Sequence, residues 1–202
     1  MKSTNADPLC THLKSRRNKT TMIRETIFAG FGGQGVLMMG FVTALSAMRD
    51  GKNVTYLPAY GAEVRGGTAN CTVVVSDEEI FSPVASAPDY AVIMNKPSLS
   101  KYQGVIKRKG ILFMNSNLID VLPSRSEVEV IGIPANDIAR ELGSDRTINM
   151  IMLGAFVAKT GLMSLQALTT GLAEITGTKK AHIMELNQKG LSRGAEFVLK
   201  GV

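Results

Sequence analysis

The sequence predicts an α/β domain: an open, mainly parallel sheet with helices on both faces and a helical C-terminal third. Three observations carry this. An apolar strand over 22–29 breaks at a glycine-rich turn into an apolar helix, and a strand pattern returns soon after. Short apolar runs then recur at 90–94, 111–114 and 128–133, bounded by polar residues. The last third is helical in its spacing throughout. Strands alternating with helices in this way place helices on the faces of a sheet.

Taken in order, residues 1–21 are expected to form a basic, disordered tail and 22–202 one domain. Strand 22–29 leads through Gly30-Phe31-Gly32-Gly33-Gln34-Gly35 into a helix over Val36–Arg49, stopped by Asp50-Gly51. Residues 53–57 return as a strand, so the unit reads as strand, turn, helix, strand, with a parallel pair and a right-handed crossover. A loop covers 58–68. Strands at 70–76 and 79–81 are expected to form a hairpin around the acidic turn Asp77-Glu78, read as a solvated end. Asn95-Lys96-Pro97 and Asn115-Ser116-Asn117 follow the next two strands, and Pro134-Ala135-Asn136-Asp137 starts a helix. Helices are expected at 147–159, 164–175 and 180–200. In the last of these, Ile183, Leu186, Gly190, Gly194 and Phe197 share a face, and its glycines would let another backbone approach closely. With the apolar helix at 36–49, this surface is expected to exceed what one sheet covers and to leave an apolar patch for partners.

Composition excludes several functions. Apolar residues are 45% and charged residues 20%, as in a packed globular protein. No run approaches the ~18 unbroken apolar residues that cross a bilayer, and the polar first twenty residues lack the core of a secretory signal, so a cytoplasmic protein is expected. Cys10 and Cys71 are too few for an iron–sulfur cluster or a four-ligand zinc site within the chain. Cys71 reads as a small buried strand residue, and His182 as an ordinary helix position. The net charge is +6, of which Lys2, Lys14, Arg16, Arg17 and Lys19 against Asp7 put +4 in the first twenty residues. A nucleic-acid-binding module resting on that tail finds no interleaved aromatics to support it. Met22 could also be the start of translation.

The glycine turn between a strand and a helix shares the logic of dinucleotide-binding turns: glycines permit positive φ, and free N–H groups at a helix start attract anions. The ribose-binding acid of such sites is missing, because Asn53-Val54-Thr55-Tyr56-Leu57 offers none. That counts against a stand-alone nucleotide-binding oxidoreductase. Two readings stay open, a phosphate or cofactor cradle and a purely structural turn in a Rossmann-like sheet.

A second motif is more specific. Tyr60-Gly61-Ala62-Glu63-Val64-Arg65-Gly66-Gly67 follows a strand's carboxyl end, where open α/β sheets place ligands. Together with Gly30 to Gly35, with Ser76-Asp77-Glu78-Glu79-Ile80, and with Asn149-Met150 and Leu153-Gly154, it resembles the gamma subunit of the 2-oxoacid:ferredoxin oxidoreductases. These motifs stand for GxGGQG, YGxExRGG, a strand ending Ser-Asp-Glu-x-Ile, and Asn-Met-x-x-Leu-Gly. The resemblance runs from Met22 to the C-terminus and leaves the tail out.

The resemblance implies a complex of anaerobic metabolism that decarboxylates a 2-oxoacid oxidatively to an acyl-CoA and passes electrons to ferredoxin. Thiamine diphosphate, magnesium and the iron–sulfur cluster would be held by alpha and beta chains, with a ferredoxin-like delta chain as a further candidate. This chain has neither cluster cysteines nor the Gly-Asp-Gly…Asn-Asn pattern of a diphosphate–magnesium site. No catalytic residue, no metal ligand, no nucleic-acid partner and no membrane contact are assigned to it, and it is expected to be inactive alone. The candidate cofactor-binding or ligand-proximal residues are Gly30, Gly32, Gly33, Gln34, Gly35, Tyr60, Glu63, Arg65, Gly66, Gly67, Thr68 and Asn70. Arg65 could grip a 2-oxoacid or coenzyme A, or Glu63 and Arg65 could organise their own loop or meet a partner chain. Oxoglutarate and branched-chain oxoacids lead as substrates. The indolepyruvate-type beta subunit shares the glycine turn and is the nearest alternative.

Overall fold

The computed structural model describes residues 21–60, 68–176 and 181–201. Within them the order is β1 (Ile23–Phe31), α1 (Val36–Arg49), β2 (Asn53–Tyr60), β3 (Thr68–Ser76), β4 (Tyr90–Ile93), α2 (Lys96–Tyr102), β5 (Ile111–Asn115), β6 (Glu129–Ile133), α3 (Ala135–Glu141), α4 (Ile148–Thr160), α5 (Leu165–Thr176) and α6 (Ala181–Leu199). The tail and the segment carrying Glu63 and Arg65 lie outside the described residues. Among those described, no helix is long and apolar enough to cross a membrane.

The six strands form one mixed sheet in the order β2-β3-β1-β4-β5-β6. β1, β4, β5 and β6 run parallel, and β3 is antiparallel to both β1 and β2. Two expectations are corrected here. β1 and β2 point the same way, but β3 lies between them, so they are not a paired βαβ unit. The hairpin partner of 70–76 is β2, with Tyr60 opposite Ala69, and not residues 79–81. The reason is that β1 and β2 occupy both edges of β3, which leaves 79–81 no ladder to join. Phe81 is accordingly 93% exposed. Asp77 is also no free turn end: its N–H donates to the Met22 carbonyl, and its carboxylate accepts from Lys52 at 2.5 Å.

Strand alternation divides the core between the two faces. Phe28, Val92 and Phe113 point to a large apolar cluster shared by α1, α3, α4, α5 and α6, where the Phe156 ring meets Phe28, Tyr90 and Phe113 edge-on. Ile27, Ala29, Ala91, Ile93 and Leu112 point to a smaller cluster under α2, through Leu99. Helices therefore cover both faces, unequally. The glycine face of α6 is used within the chain: a Cβ at Gly194 would strike the Ile151 carbonyl, and one at Gly154 the Leu191 carbonyl. Gly194 admits the backbone of α4 and Gly154 that of α6, so the glycine face of α6 is taken up within the chain. α1 does keep exposed apolar side chains, among them Phe41 and Met48.

Candidate functional site

β1 leads into α1 on one face of the sheet and its parallel neighbour β4 into α2 on the other, so the chain switches faces at the carboxyl ends of β1 and β4. Open α/β sheets bind ligands at such a switch point. Two left-handed glycines shape the wall of this crevice. Gly33 has φ +96° and Gly35, the residue before α1, has φ +73°. A side chain at Gly35 would also collide with the Asn149 carboxamide on the first turn of α4.

Gln34 explains its own place inside the turn. Its Oε1 accepts from the Phe31 N–H at 2.7 Å and from Asn95 Nδ2 at 3.1 Å, and its Nε2 faces the Met94 carbonyl at 3.5 Å. The carboxamide thus ties the end of β1 to the end of β4. Gly30 must be glycine beneath it, because a Cβ there would lie 2.7 Å from Gln34 Oε1 and 2.9 Å from Met94 Cβ. Asn95 in turn caps α2, accepting from the Ser98 N–H at 2.9 Å.

The same device repeats along the sheet edge. Buried Asn115, at the end of β5, donates to Asn136 Oδ1 at 2.8 Å. Asn117 Oδ1 accepts from the N–H groups of Asn136 and Asp137 at 2.9 and 3.2 Å, which satisfies open donors at the start of α3. The Asn117 amide, followed by Arg140, holds the Asp137 carboxyl below the usual carboxylate range.

Together these parts enclose a cleft of about 310 Å³ lined by Gly33, Gln34, Gly35, Met94, Leu118, Asn136, Asp145, Arg146, Ile148 and Asn149. The N-terminal ends of α1, α3 and α4 border it, and helix N-termini carry partial positive charge that favours anions. Arg146 makes no ion pair among the described residues, so its guanidinium is available to an anion entering the cleft. Asp145 beside it sets a limit on how much negative charge fits. Among the described residues the cleft is lined by carboxamides, glycine backbone and one arginine, groups suited to binding and orienting an anion.

Of the residues predicted from sequence, Gly33, Gln34 and Gly35 line this cleft, and Gly30 and Gly32 belong to the same turn. Thr68 and Asn70 sit one strand away, opposite Phe31 and Ala29. Strand alternation turns Asn70 to the α2 face, away from the α1–α4 side. Tyr60 ends β2, and Glu63, Arg65, Gly66 and Gly67 lie outside the described residues; Thr68, after that segment, is opposite Phe31, and Tyr60, before it, is one strand further out on the same side. Sequence reasoning missed Met94, Leu118, Asn136, Asp145, Arg146 and Asn149 as lining. A local signal was present for Asn136, a polar residue just after parallel strand β6, whereas Asp145, Arg146 and Asn149 follow a helix and carry none.

The model of the pyruvate ferredoxin/flavodoxin oxidoreductase family matches residues 25–197. The ketoisovalerate oxidoreductase subunit VorA of Methanothermobacter marburgensis is 38% identical over 175 residues, covering 86% of this chain but 36% of the relative. The chain thus spans little more than a third of that relative's length. The 2-oxoglutarate synthase subunit KorC of Methanothermobacter thermautotrophicus is 32% identical over 188 residues, covering 88% of this chain and 96% of the relative. Among solved structures, the gamma subunit of a keto/oxoacid ferredoxin oxidoreductase from Geobacter sulfurreducens PCA superposes with a TM-score of 0.75 at 28% identity, over 88% of this chain and 99% of that one. With the glycine turn, the switch-point cleft and a family match over most of its length, the chain belongs to the pyruvate ferredoxin/flavodoxin oxidoreductase family.

Proposed function

We propose that the chain is the gamma subunit of a cytoplasmic 2-oxoacid:ferredoxin oxidoreductase, which converts a 2-oxoacid and coenzyme A to an acyl-CoA and passes the electrons to ferredoxin. The observation that carries this reading is the near end-to-end correspondence with a 2-oxoglutarate synthase subunit of similar length. The similarity to a ketoisovalerate oxidoreductase subunit keeps branched-chain oxoacids beside 2-oxoglutarate as substrates.

The residues of this chain do not fit the redox and thiamine groups. It has two cysteines, of which Cys71 is fully buried, and no three His, Cys, Asp or Glu side chains gather at one point among the described residues. On this reading thiamine diphosphate, magnesium and the cluster are held by the alpha and beta companions, and by a ferredoxin-like delta chain where there is one. Positioning and electrostatics remain to this chain. The glycine turn, Gly30 to Gly35, cradles an anionic group of substrate or coenzyme A at the cleft. On the same reading Arg65 contributes a charged contact to that anion, and Tyr60, Glu63, Gly66, Gly67, Thr68 and Asn70 remain candidate ligand-proximal residues.

The test is viologen-dye reduction with a 2-oxoacid, coenzyme A and thiamine diphosphate. The isolated chain is expected to be inactive, and the complex co-expressed with its companions active. Activity of the single chain would sink the subunit reading. In the gel-filtered complex, Arg65→Ala is expected to lower turnover at least tenfold, since a charged contact to a buried anion contributes about 2–5 kcal/mol. Arg65→Lys should recover part of it, because lysine keeps the charge and loses the two-pronged geometry. Wild-type turnover and KM values in the Ala variant would remove Arg65 from the site.

A further inference from the structure

β1 and β4 pair in register from Thr26 opposite Tyr90 to Ala29 opposite Ile93, and a bond from the Met94 N–H to the Ala29 carbonyl at 2.8 Å ends their ladder. A side chain makes the next rung. The Gln34 carboxamide accepts from the Phe31 N–H at 2.7 Å, as a strand carbonyl would. It turns its Nε2 to the Met94 carbonyl at 3.5 Å, as a strand N–H would. A carboxamide carries the donor and acceptor types of a peptide group, so Gln34 stands in for backbone between two strands that part here. The place of that carboxamide therefore sets the opening of the switch-point crevice.

The carboxamide is held from behind. Gln34 Oε1 takes a second bond, from Asn95 Nδ2 at 3.1 Å. Asn95 is 4% exposed and is not part of the described cleft lining. Both ends of its own carboxamide are committed, Nδ2 to Gln34 and Oδ1 to the Ser98 N–H at the start of α2, at 2.9 Å. A cap alone would need only the oxygen, and serine, threonine or aspartate supplies one as well. Of these residues only asparagine adds an N–H donor of this reach. The turn has little else to brace it, because Phe31 and Gln34 are its only residues with side chains. Glycine backbone is the costliest to order.

We propose that Asn95 is the positioning residue of the anion cradle, acting through Gln34 to hold the glycine turn in its binding shape. This rests on the reading of that turn as the seat of an anionic group of the oxoacid or coenzyme A. One bond, from the Phe31 N–H, leaves the Gln34 oxygen free to swing about it; the second direction pins it. The cradle is thereby anchored to α2, which packs on the opposite face of the sheet through Leu99. A turn ordered in advance spares the ligand that cost, so Asn95 acts on affinity and not on the chemical step.

The experiment uses the gel-filtered complex, co-expressed with its companions, and compares wild type, Asn95→Ser, Gln34→Met and the double variant. Serine keeps the cap of α2 and is too short to reach Gln34. Asn95→Ser is expected to raise the KM of one anion, coenzyme A or the oxoacid, about fivefold, the size of one hydrogen bond's net contribution. Its kcat is expected to change less than about twofold, as when uniform binding alone is lost, and its melting temperature to stay near wild type. Hydrogen exchange at the amides of residues 31–34 is expected to rise by a similar factor while α2 keeps its protection. In the Gln34→Met background the same serine substitution is expected to add nothing, because the group it acts through is gone. If Gln34→Met does not assemble, KM and exchange in Asn95→Ser against wild type decide together. Wild-type KM values and turn exchange in Asn95→Ser overturn the proposal and leave the subunit reading intact. An equal KM rise in both backgrounds also overturns it, since Asn95 then does not act through Gln34. Early melting with loss of α2 protection reduces Asn95 to a cap and overturns it likewise. A wild-type complex without activity overturns the subunit reading and this proposal with it.

Discussion

At the scale of single residues, Cys71 shows how the fold sets chemistry. Its Sγ lies against Gly40 of α1, where a Cβ would meet it, and 3.6 Å from the Val36 carbonyl. Burial pushes the thiol up from 9.0 to about 12. Below pH 9 folded and unfolded chains both hold the proton, and stability does not change. Between pH 9 and 12 the unfolded thiol ionises and the folded one does not, so stability falls as pH rises, by about 1.4 kcal/mol per unit. Urea unfolding at pH 8, 9 and 10 under reducing conditions should show that extra slope in wild type and lose it in Cys71→Ala. Parallel slopes in the two proteins would falsify the assignment. That Cys71 is a buried strand residue was legible from its flanking valines; Gly40 as its partner was not, because the pairing joins a helix to a strand thirty residues on.

Elements show where local pattern was enough and where it was not. The parallel strands and helices α1, α4, α5 and α6 match the expected ranges within one or two residues, since each carries its own periodicity and stop signal, whereas the seven-residue α2 was not expected. The position of β3 was invisible to that reasoning. Its sequence, Thr68–Ser76, alternates suitably for a strand, but alternation does not state which edges it pairs. The candidate site was legible in the same uneven way. The glycine turn announces itself by composition, whereas Arg146 and Asn149 reach the cleft only because α4 packs its first turn on Gly35. The α4–α6 contact gives a sharp test of packing at this scale. Gly194→Ala drives a methyl group into the Ile151 carbonyl, so the helices must separate, and thermal or urea unfolding should register a loss of about 3 kcal/mol. Ser192→Ala, on the exposed side of α6, should change stability by less than about 0.5 kcal/mol. Equal stability of the two variants would mean that α4 and α6 are not in backbone contact.

For the molecule as a whole, charge separates tail from domain. Removing residues 1–20 changes the net charge from +6 to +2, and any salt-sensitive retention on nucleic acid should vanish with it while the unfolding midpoint of the domain stays put. Retention that survives the deletion would locate a basic surface on the domain. The inserted β3 has a consequence of another kind, for the order of assembly. A βαβ unit can zip its two strands together as soon as its helix forms. Here β1 and β2 never pair with each other, and both wait for a strand made later, β3, to bond with each of them. The β2–β3 hairpin, closed by a short connection, is the cheaper contact in chain entropy, so it is expected to form first and dock onto β1 as a ribbon. On that order the β1–β3 ladder, which sets Thr68 opposite Phe31 beside the glycine turn, is expected to close late in folding.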